Sequence, residues 1–517
     1  MTDRGRALTG LAGVIILAMT SELNDQVSSV AAPDIFGALG ISHDQGTWFI
    51  SFFHTAQIIG MGLSQWLALT FTLRRFAFFI AAMSVGAASL IPLTVNLHVI
   101  LTLRIIEGLA AGFAIPMLIT VALRVLSPHI RLYGLAAYAL TATCFPNLST
   151  ALAGLWTDFV DWRFVFWQAI PLGAIATALL WVGMPVDKPR YERFKLFDWR
   201  GTGLLIAGMG AFSTMLEQGD RLDWFNHPGI WFLSIISLIC LPLFIINEWF
   251  HPVPLMRFQL LHARNFLYGN VMLFAFILTN ASSSAIPSSF LTSVAGYRPE
   301  QIYPLTLLIA MMQFALLPIL AMVLNLRHVD SRVVTMCGLV LMLGACVGSS
   351  FVTSSWNRDN FYLWQFMQGL AAPMIVLPLL MMSTNSLKPS DGPFASPLVN
   401  APRAIAESMG IWLAQLTYRW RGHLHSDRLT DQLGVERFRL FQGQNPVSQR
   451  PPPLLPDGAA RSPDALITFK AQLAKQTAVL TISDFYMVMG GIVVAMTMWV
   501  LIVPQRTYPP RIIFGEK

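Results

Sequence analysis

The sequence predicts an all-α polytopic membrane protein with fourteen spans, and three observations carry that prediction. Hydrophobic residues fill 55 % of the 517 positions and charged residues only 12 %, against roughly 25 % charge in a soluble globular chain. The mean hydropathy is +0.58, so the chain holds more apolar side chain than a folded soluble interior could cover. The basic residues also alternate from one connection to the next. Lipid is therefore the solvent for most of the chain. The formal charge of +7, from 34 basic and 27 acidic residues, reports membrane topology rather than a nucleic-acid partner.

A span takes about 20 apolar residues. Such windows fall near 10–33, 47–70, 74–95, 99–123, 132–155 and 164–184, then 201–217 and 229–249. The last six fall near 266–292, 302–325, 331–351, 361–384, 395–418 and 481–503. The start has the charge pattern of a signal peptide, with Arg4 and Arg6 ahead of Leu11 to Met19, but its apolar pattern runs on through Val27, which makes it the first span. With both termini in the cytoplasm, the inside segments carry 19 Lys and Arg residues. The short outside loops carry four, Arg163, Arg221, Arg298 and Arg358. That bias is the positive-inside pattern and requires an even number of spans. Trp48, Trp156, Trp162, Trp224, Trp231, Trp356 and Trp420 lie near span ends, as interfacial indoles do. Cys144, Cys240, Cys337 and Cys346 sit in apolar runs with no framework spacing and read as small packing residues.

An internal echo divides the chain. Span four reads Arg104-Ile-Ile-Glu107-Gly108-Leu109-Ala110-Ala111 and then Pro116. Span twelve reads Gln365-Phe-Met-Gln368-Gly369-Leu370-Ala371-Ala372 and then Pro378. Parallel six-span halves with a site between them are a transporter architecture. The expected organisation is an N-terminal six-helix bundle (1–185), a cytoplasmic linker with inserted spans seven and eight (186–262), and spans nine to thirteen of the C-terminal bundle (263–418). A long periplasmic loop (419–480) and the last span with a cytoplasmic tail (481–517) follow. The loop carries His423, His425 and a Pro-rich stretch from Arg450 to Pro456, with helical spacing over 465–480.

Ionisable residues inside spans are costly and mark function by default. Glu22 and Asp25 share a face of span one; Arg104 with Glu107, and Arg403 with Glu407, share faces of spans four and thirteen. Glu22, Asp25, Glu107 and Glu407 are the proton-coupling candidates, with Arg104 and Arg403 as their charge partners. Asp25, with no basic residue in its own span, leads. His54 is either a hydrogen-bonded packing residue or a proton relay. His54, Asn147, Asn280, Gln365, Gln368 and Asn400 are the candidates for lining an interior cavity, since lipid-facing amides are costly. No G-x-x-x-x-G-K-[ST] loop is present to bind ATP. His423-x-His425 is at most a two-ligand fragment, so no metal site is expected. No nucleophile–base pair stands out in the spans, and no enzyme activity is expected.

Several local motifs then carry a family resemblance. Arg104-x-x-Glu107-Gly108-x-x-Ala111-Gly112 with Pro116 resembles the R-x-x-Q-G-x-x-x-G…P motif of the fourteen-span drug:proton antiporters of the major facilitator superfamily, EmrB type. Trp162-Arg163-Phe164-Val165-Phe166 with Pro171-Leu172-Gly173, Asp198-Trp199-Arg200-Gly201, Gly219-Asp-Arg-Leu-Asp-Trp224, Arg264-Asn265-Phe266 and Asn400-x-x-Arg403 are similar to further motifs of that family. The chain departs from it in three places. Asn24 stands where span one has an aspartate, with Asp25 about 100° further round the helix. Gln65-Trp-Leu67-Ala68-Leu69 lacks the acid of the loop after span two. Only Pro146 remains of the span-five antiporter motif.

The resemblance implies a major facilitator fold of two six-helix bundles plus two inserted helices. It also implies proton-driven multidrug export across a bacterial inner membrane, with the proton gradient as energy source and no cofactor. Membrane lipids, a small-molecule substrate, a periplasmic adaptor and, through it, an outer-membrane channel are the implied partners. Export of a native metabolite such as a siderophore, organic acid or fatty acid stays open as an alternative. So does a transporter-like sensor or membrane enzyme.

Overall fold

The computed structural model describes residues 3–125, 131–184, 189–280, 285–326, 328–385, 392–435 and 463–502. Among them every regular element is helical. The chain runs α1 (Asp3–Val30), α2 (Ala32–Leu39), α3 (His43–Phe71), α4 (Leu73–Leu90), α5 (Leu97–Val125), α6 (Arg131–Phe159), α7 (Phe164–Trp167) and α8 (Ala169–Gly183). Then come α9 (Trp199–Gln218), α10 (Pro228–Phe250), α11 (Arg264–Asn280), α12 (Ala285–Ser293), α13 (Pro299–Leu324), α14 (Ser331–Ser350), α15 (Arg358–Asn385), α16 (Gly392–Val435) and α17 (Pro463–Ile502). A helix or helix pair covers each of the fourteen expected spans. The sixth is divided into α7 and α8. The ninth is divided into α11 and α12, with 281–284 outside the described residues.

Nine of these spans, among the described residues, are by themselves long and apolar enough to cross a membrane. The other five lie on α1, α3, α6, α9 and α16. Four of those helices, α1, α3, α9 and α16, carry Glu22 and Asp25, His54, Glu217, and Arg403 with Glu407. A helix that turns such groups inward need not look like lipid, because protein rather than hydrocarbon surrounds them.

α1 and α3–α8 pack as one bundle and α11–α17 as the other, while α9 and α10 form a hairpin beside the seam. α10 exposes Phe232, Leu238 and Phe250 as a lipid-facing helix would, whereas α9 packs on both α3 and α16. At the face where α1 begins and α17 ends, a single apolar core runs through both bundles and includes Val14, Phe113, Leu273, Met381 and Leu398. At the opposite face the core divides. Val27, Phe49 and Phe166 belong to one part, and Phe290, Phe361 and Phe485 to the other. The bundles meet there through Arg298, which pairs with Asp158 at 3.0 Å and Asp34 at 3.7 Å. The apolar core is thus continuous between the bundles at the terminal face and divided at the other. A cleft of about 570 Å³ opens at that second face between α12, α16 and Asp220.

The connection expected at 186–200 is described from 189 onward. It is fastened beneath α3 and α4, where the Arg190 amide donates to Thr70 O at 3.0 Å and Arg75 Nη1 donates to Tyr191 Oη at 2.9 Å. Trp66 meets Phe194 and Phe197 edge-on. This aromatic clasp occupies the region where the sequence lacks the acid after span two.

The segment 419–480 differs from the loop expected there. α16 continues to Val435, and α17 begins at Pro463, two residues before the expected helical stretch. At 1.5 Å per residue, their 44 and 40 residues extend about 66 and 60 Å, roughly twice the hydrocarbon thickness. The physical reason is lateral pairing. Asp484 Oδ2 accepts from Arg421 Nε at 2.5 Å and lies 2.6 Å from His425 Nε2, and a groove containing Tyr418, Leu473 and Thr477 lies between the two arms. The Pro-rich stretch lies outside the described residues.

Candidate functional site: a buried charge network between the bundles

Close helix packing assembles the network. α5 lies against α3 without intervening side chains, since a Cβ on Gly108 would strike the Phe53 carbonyl and one on Gly112 the Gln57 carbonyl. Small residues permit this approach between membrane helices. It brings the Arg104 guanidinium between the rings of Phe49 and Phe53, at 4.3 and 4.4 Å from their centroids. Arg104 is fully buried. A buried cation needs paired anions, and two supply them. Glu107 Oε2 accepts from Nη1 at 2.8 Å and Asp25 Oδ1 from Nη2 at 3.2 Å. Asn24 Nδ2 donates to the other oxygen of Glu107. Neighbouring residues of α1 therefore both reach α5, one as an amide and one as an acid.

From Asp25 the network continues outward. Asp25 Oδ2 lies 3.3 Å from His54 Nε2, and His54 Nδ1 lies 2.7 Å from Glu217 Oε1 on α9. The same Glu217 oxygen accepts from Ser408 Oγ of α16 at 2.9 Å. A second group centres on Arg403. Its Nη2 donates to Glu22 Oε1 at 3.1 Å, its Nε to Glu407 Oε1 at 3.2 Å and its Nη1 to Thr141 Oγ1 at 2.9 Å. Tyr138 Oη lies 3.4 Å from Nη1 and donates to Asn400 Oδ1 at 2.7 Å.

All six charged candidates thus fall into these two hydrogen-bonded groups, which adjoin through Glu22 and Asp25 on α1, and His54 joins the first. Two expectations change in detail. Asp25, with no base in its own span, shares Arg104 with Glu107 across helices. Arg403, matched in sequence to Glu407, also neutralises Glu22 of the other bundle. Among the amides, Asn400 belongs to the network. Asn147 is buried on α6 and donates to Thr143 O at 2.9 Å, while its Oδ1 has no partner among the described residues. Gln365 is fully buried on α15, and neither of its amide atoms has a hydrogen-bond partner among those residues. Gln368 places Nε2 3.8 Å from Cys346 Sγ. Asn280 closes α11 and is half-buried.

Sequence reasoning missed Glu217, Tyr138, Thr141 and Ser408. Glu217 occupies the last position of the seventh predicted span, where an acid reads as interfacial. Only its neighbours reveal that its side chain is 6 % exposed. The hydroxyls carry no signal of their own, being ordinary in any membrane helix.

The profile described as the Major Facilitator Superfamily matches residues 14–326. The chain belongs to the major facilitator superfamily. Within it, the chain is 29 % identical over 411 residues to the probable multidrug resistance protein EmrY of Escherichia coli K12, covering 79 % of each chain. It is 28 % identical over 430 residues to the multidrug export protein EmrB of the same strain, covering 80 % of each. The fatty acid resistance protein FarB of Neisseria gonorrhoeae is 27 % identical, over 86 % of this chain and 88 % of FarB. Two solved structures share the fold at a TM-score of 0.57 and 12 % identity. They are the human organic anion transporter MFSD10, over 95 % of this chain and 100 % of that one, and the proton:xylose symporter XylE, over 98 % of each. The major facilitator architecture places the charge network where the two bundles and the α9–α10 hairpin meet. The chain is accordingly a multi-pass membrane transporter of EmrB type.

Proposed function

We propose that this chain is a proton-driven exporter of small amphiphilic compounds in a bacterial inner membrane, with both termini cytoplasmic. The carrying observation is a charge imbalance at the seam. Four carboxylates with side chains no more than 6 % exposed, Glu22, Asp25, Glu107 and Glu217, face two guanidiniums, Arg104 and Arg403. Glu407, one-third exposed, adds a fifth acid. Unpaired charge in a low-dielectric interior is costly, so the buried part is neutral only when it also holds two protons. A substrate or conformation that alters the pairing then changes how many protons stay.

Alternating access follows from the same contacts. Glu22–Arg403 and the shared core hold the terminal face closed, and Arg298–Asp158 holds the other. Rocking the bundles exchanges one set for the other, as transporters built from two parallel halves do. Asp25, Glu107, Glu407 and Glu22 are the proton-coupling residues in this reading. Buried amides such as Asn147 and Gln365 offer unfilled hydrogen-bonding groups to a polar part of the cargo. The long arms of α16 and α17 are the surface from which substrate passes to a periplasmic adaptor, and through it to an outer-membrane channel.

The test is quenching of a pH-sensitive dye in inside-out vesicles, with lipophilic drugs and weak acids, for wild type and Asp25→Asn. A compound should dissipate the gradient with wild type and not with the variant. Equal responses would remove Asp25 from the coupling role. The likeness to FarB favours a second reading in which the cargo is a fatty acid. A response to fatty acids but not to lipophilic cations would select it.

A further inference from the structure

We infer that Glu217 and His54 form a proton path from the face opposite the termini to Asp25, so that the inserted helix α9 provides proton access to the charge network. The inference rests on the proton-coupled reading above and adds a residue and a route to it.

Asp25 itself is enclosed. It is 3 % exposed, with Arg104 on one side and His54 on the other. Its open side leads through the imidazole, whose two nitrogens face two different acids at 3.3 and 2.7 Å. Glu217 is the penultimate residue of α9. One turn further, Asp220 lines the 570 Å³ cleft together with Arg419 and Tyr418. Glu217 thus stands between the cleft and the ring.

A second observation fixes the geometry. α9 is joined to α3 by a row of hydrogen bonds rather than by apolar contact alone. Gln218 Nε2 donates to Ser51 Oγ at 2.7 Å, Thr47 Oγ1 donates to Gln218 Oε1 at 3.3 Å, and Thr55 Oγ1 donates to Ser213 Oγ at 3.2 Å. These bonds flank His54–Glu217 on both sides and hold the acid in register with the ring.

The transfer balances. A protonated Glu217 gives its proton to Nδ1 while Nε2 gives its own to Asp25 Oδ2. One N–H bond forms as another breaks, the ring stays neutral in its other tautomer, and Glu217 is left as carboxylate to take the next proton. A second transfer requires the ring to lose the Nδ1 proton and to regain one at Nε2. The charged groups around this path are Glu22 and Asp25 from α1, Arg104 and Glu107 from α5, Glu217 from α9, and Arg403 and Glu407 from α16.

The experiment follows the proton itself and needs no substrate. The full chain, labelled with imidazole-15N histidine, is placed in nanodiscs, and the His54 signal is assigned by its loss in His54→Gln. Exchange of the ring N–H with solvent is then measured. Glu217→Gln keeps size and polarity but cannot pass the proton, and it should slow exchange at least tenfold. Ile206→Ala, on the exposed face of the same helix, leaves these bonds in place and should exchange as wild type does. Unchanged exchange in Glu217→Gln, or equal slowing in Ile206→Ala, overturns the path. Failure of the export reading would show instead in the vesicle dye assay with wild type, independently of this exchange rate.

Discussion

Arg403 of α16 donates to Glu22 of α1 at 3.1 Å, across 381 positions of sequence, while holding Glu407 one turn along its own helix at 3.2 Å. One guanidinium therefore joins the first span to the thirteenth. Its burial, at 2 % exposure, makes the contact depend on both partners being present.

Arg403→Ala leaves Glu22 buried without its cation, and breaking such a pair costs about 3–5 kcal/mol. The expected result is a clear fall in the unfolding temperature of the purified protein together with loss of compound-driven gradient dissipation in vesicles. Arg403→Lys keeps the charge but not the fork that reaches Glu22, Glu407 and Thr141 together. It should recover most of the stability and little of the transport. Thermal-shift and vesicle assays on the two variants separate these effects.

Asn24 and Glu107 exchange an amide–carboxylate hydrogen bond between α1 and α5. Glu107→Gln removes one acid and should reduce gradient-driven export at least tenfold. Asn24→Asp combined with Glu107→Gln returns the acid to the other end of the same contact, still within the reach of α5. The double variant should regain most of the lost export. A double variant as inactive as the single one would show that the acid must sit on α5.

Gly112 approaches the Gln57 carbonyl too closely for a side chain. Gly112→Leu should push α5 from α3 and cost about 1–3 kcal/mol by overpacking. The Phe49–Arg104–Phe53 stack should loosen with it. Fluorescence-detected size exclusion after a heating series checks the loss. Gly86, with open space around it, is the control position for the same substitution.

Asp223, at the outer end of the hairpin loop, is held below the usual carboxylate range by the Asn226 amide and by Arg419. A lowered value means that its contribution to the contact is complete above the ordinary carboxylate range and is lost only as pH falls through the lowered value. The loop should therefore stay docked on α16 at pH 7 and pH 5 and release only in stronger acid. Spin labels at Phe225 and Trp420, both exposed, in a variant lacking the four native cysteines should give the same narrow distance distribution at both values. Broadening already at pH 6 would contradict the assignment.

Much of the architecture is legible in the chain. The apolar windows, the basic residues and the tryptophans locate the spans, because lipid imposes length and polarity on each segment separately. Arg104 with Glu107 and Arg403 with Glu407 are legible for a similar reason, since residues three or four apart on a helix are neighbours whatever surrounds them. The segment 419–480 is less legible. Its polar composition reads as loop, while two helices can support each other in water through Arg421, His425 and Asp484.

The sequence by itself determined where fourteen apolar windows fall and that charged residues lie within the first, fourth and thirteenth. Tertiary structure alone decided which charges meet. Glu22 finds Arg403, Asp25 shares Arg104 with Glu107, and the unremarked Glu217 of the inserted α9 reaches His54. Pairing between helices depends on how each is rotated and how closely Gly108 and Gly112 let neighbours approach, and no local pattern records either quantity.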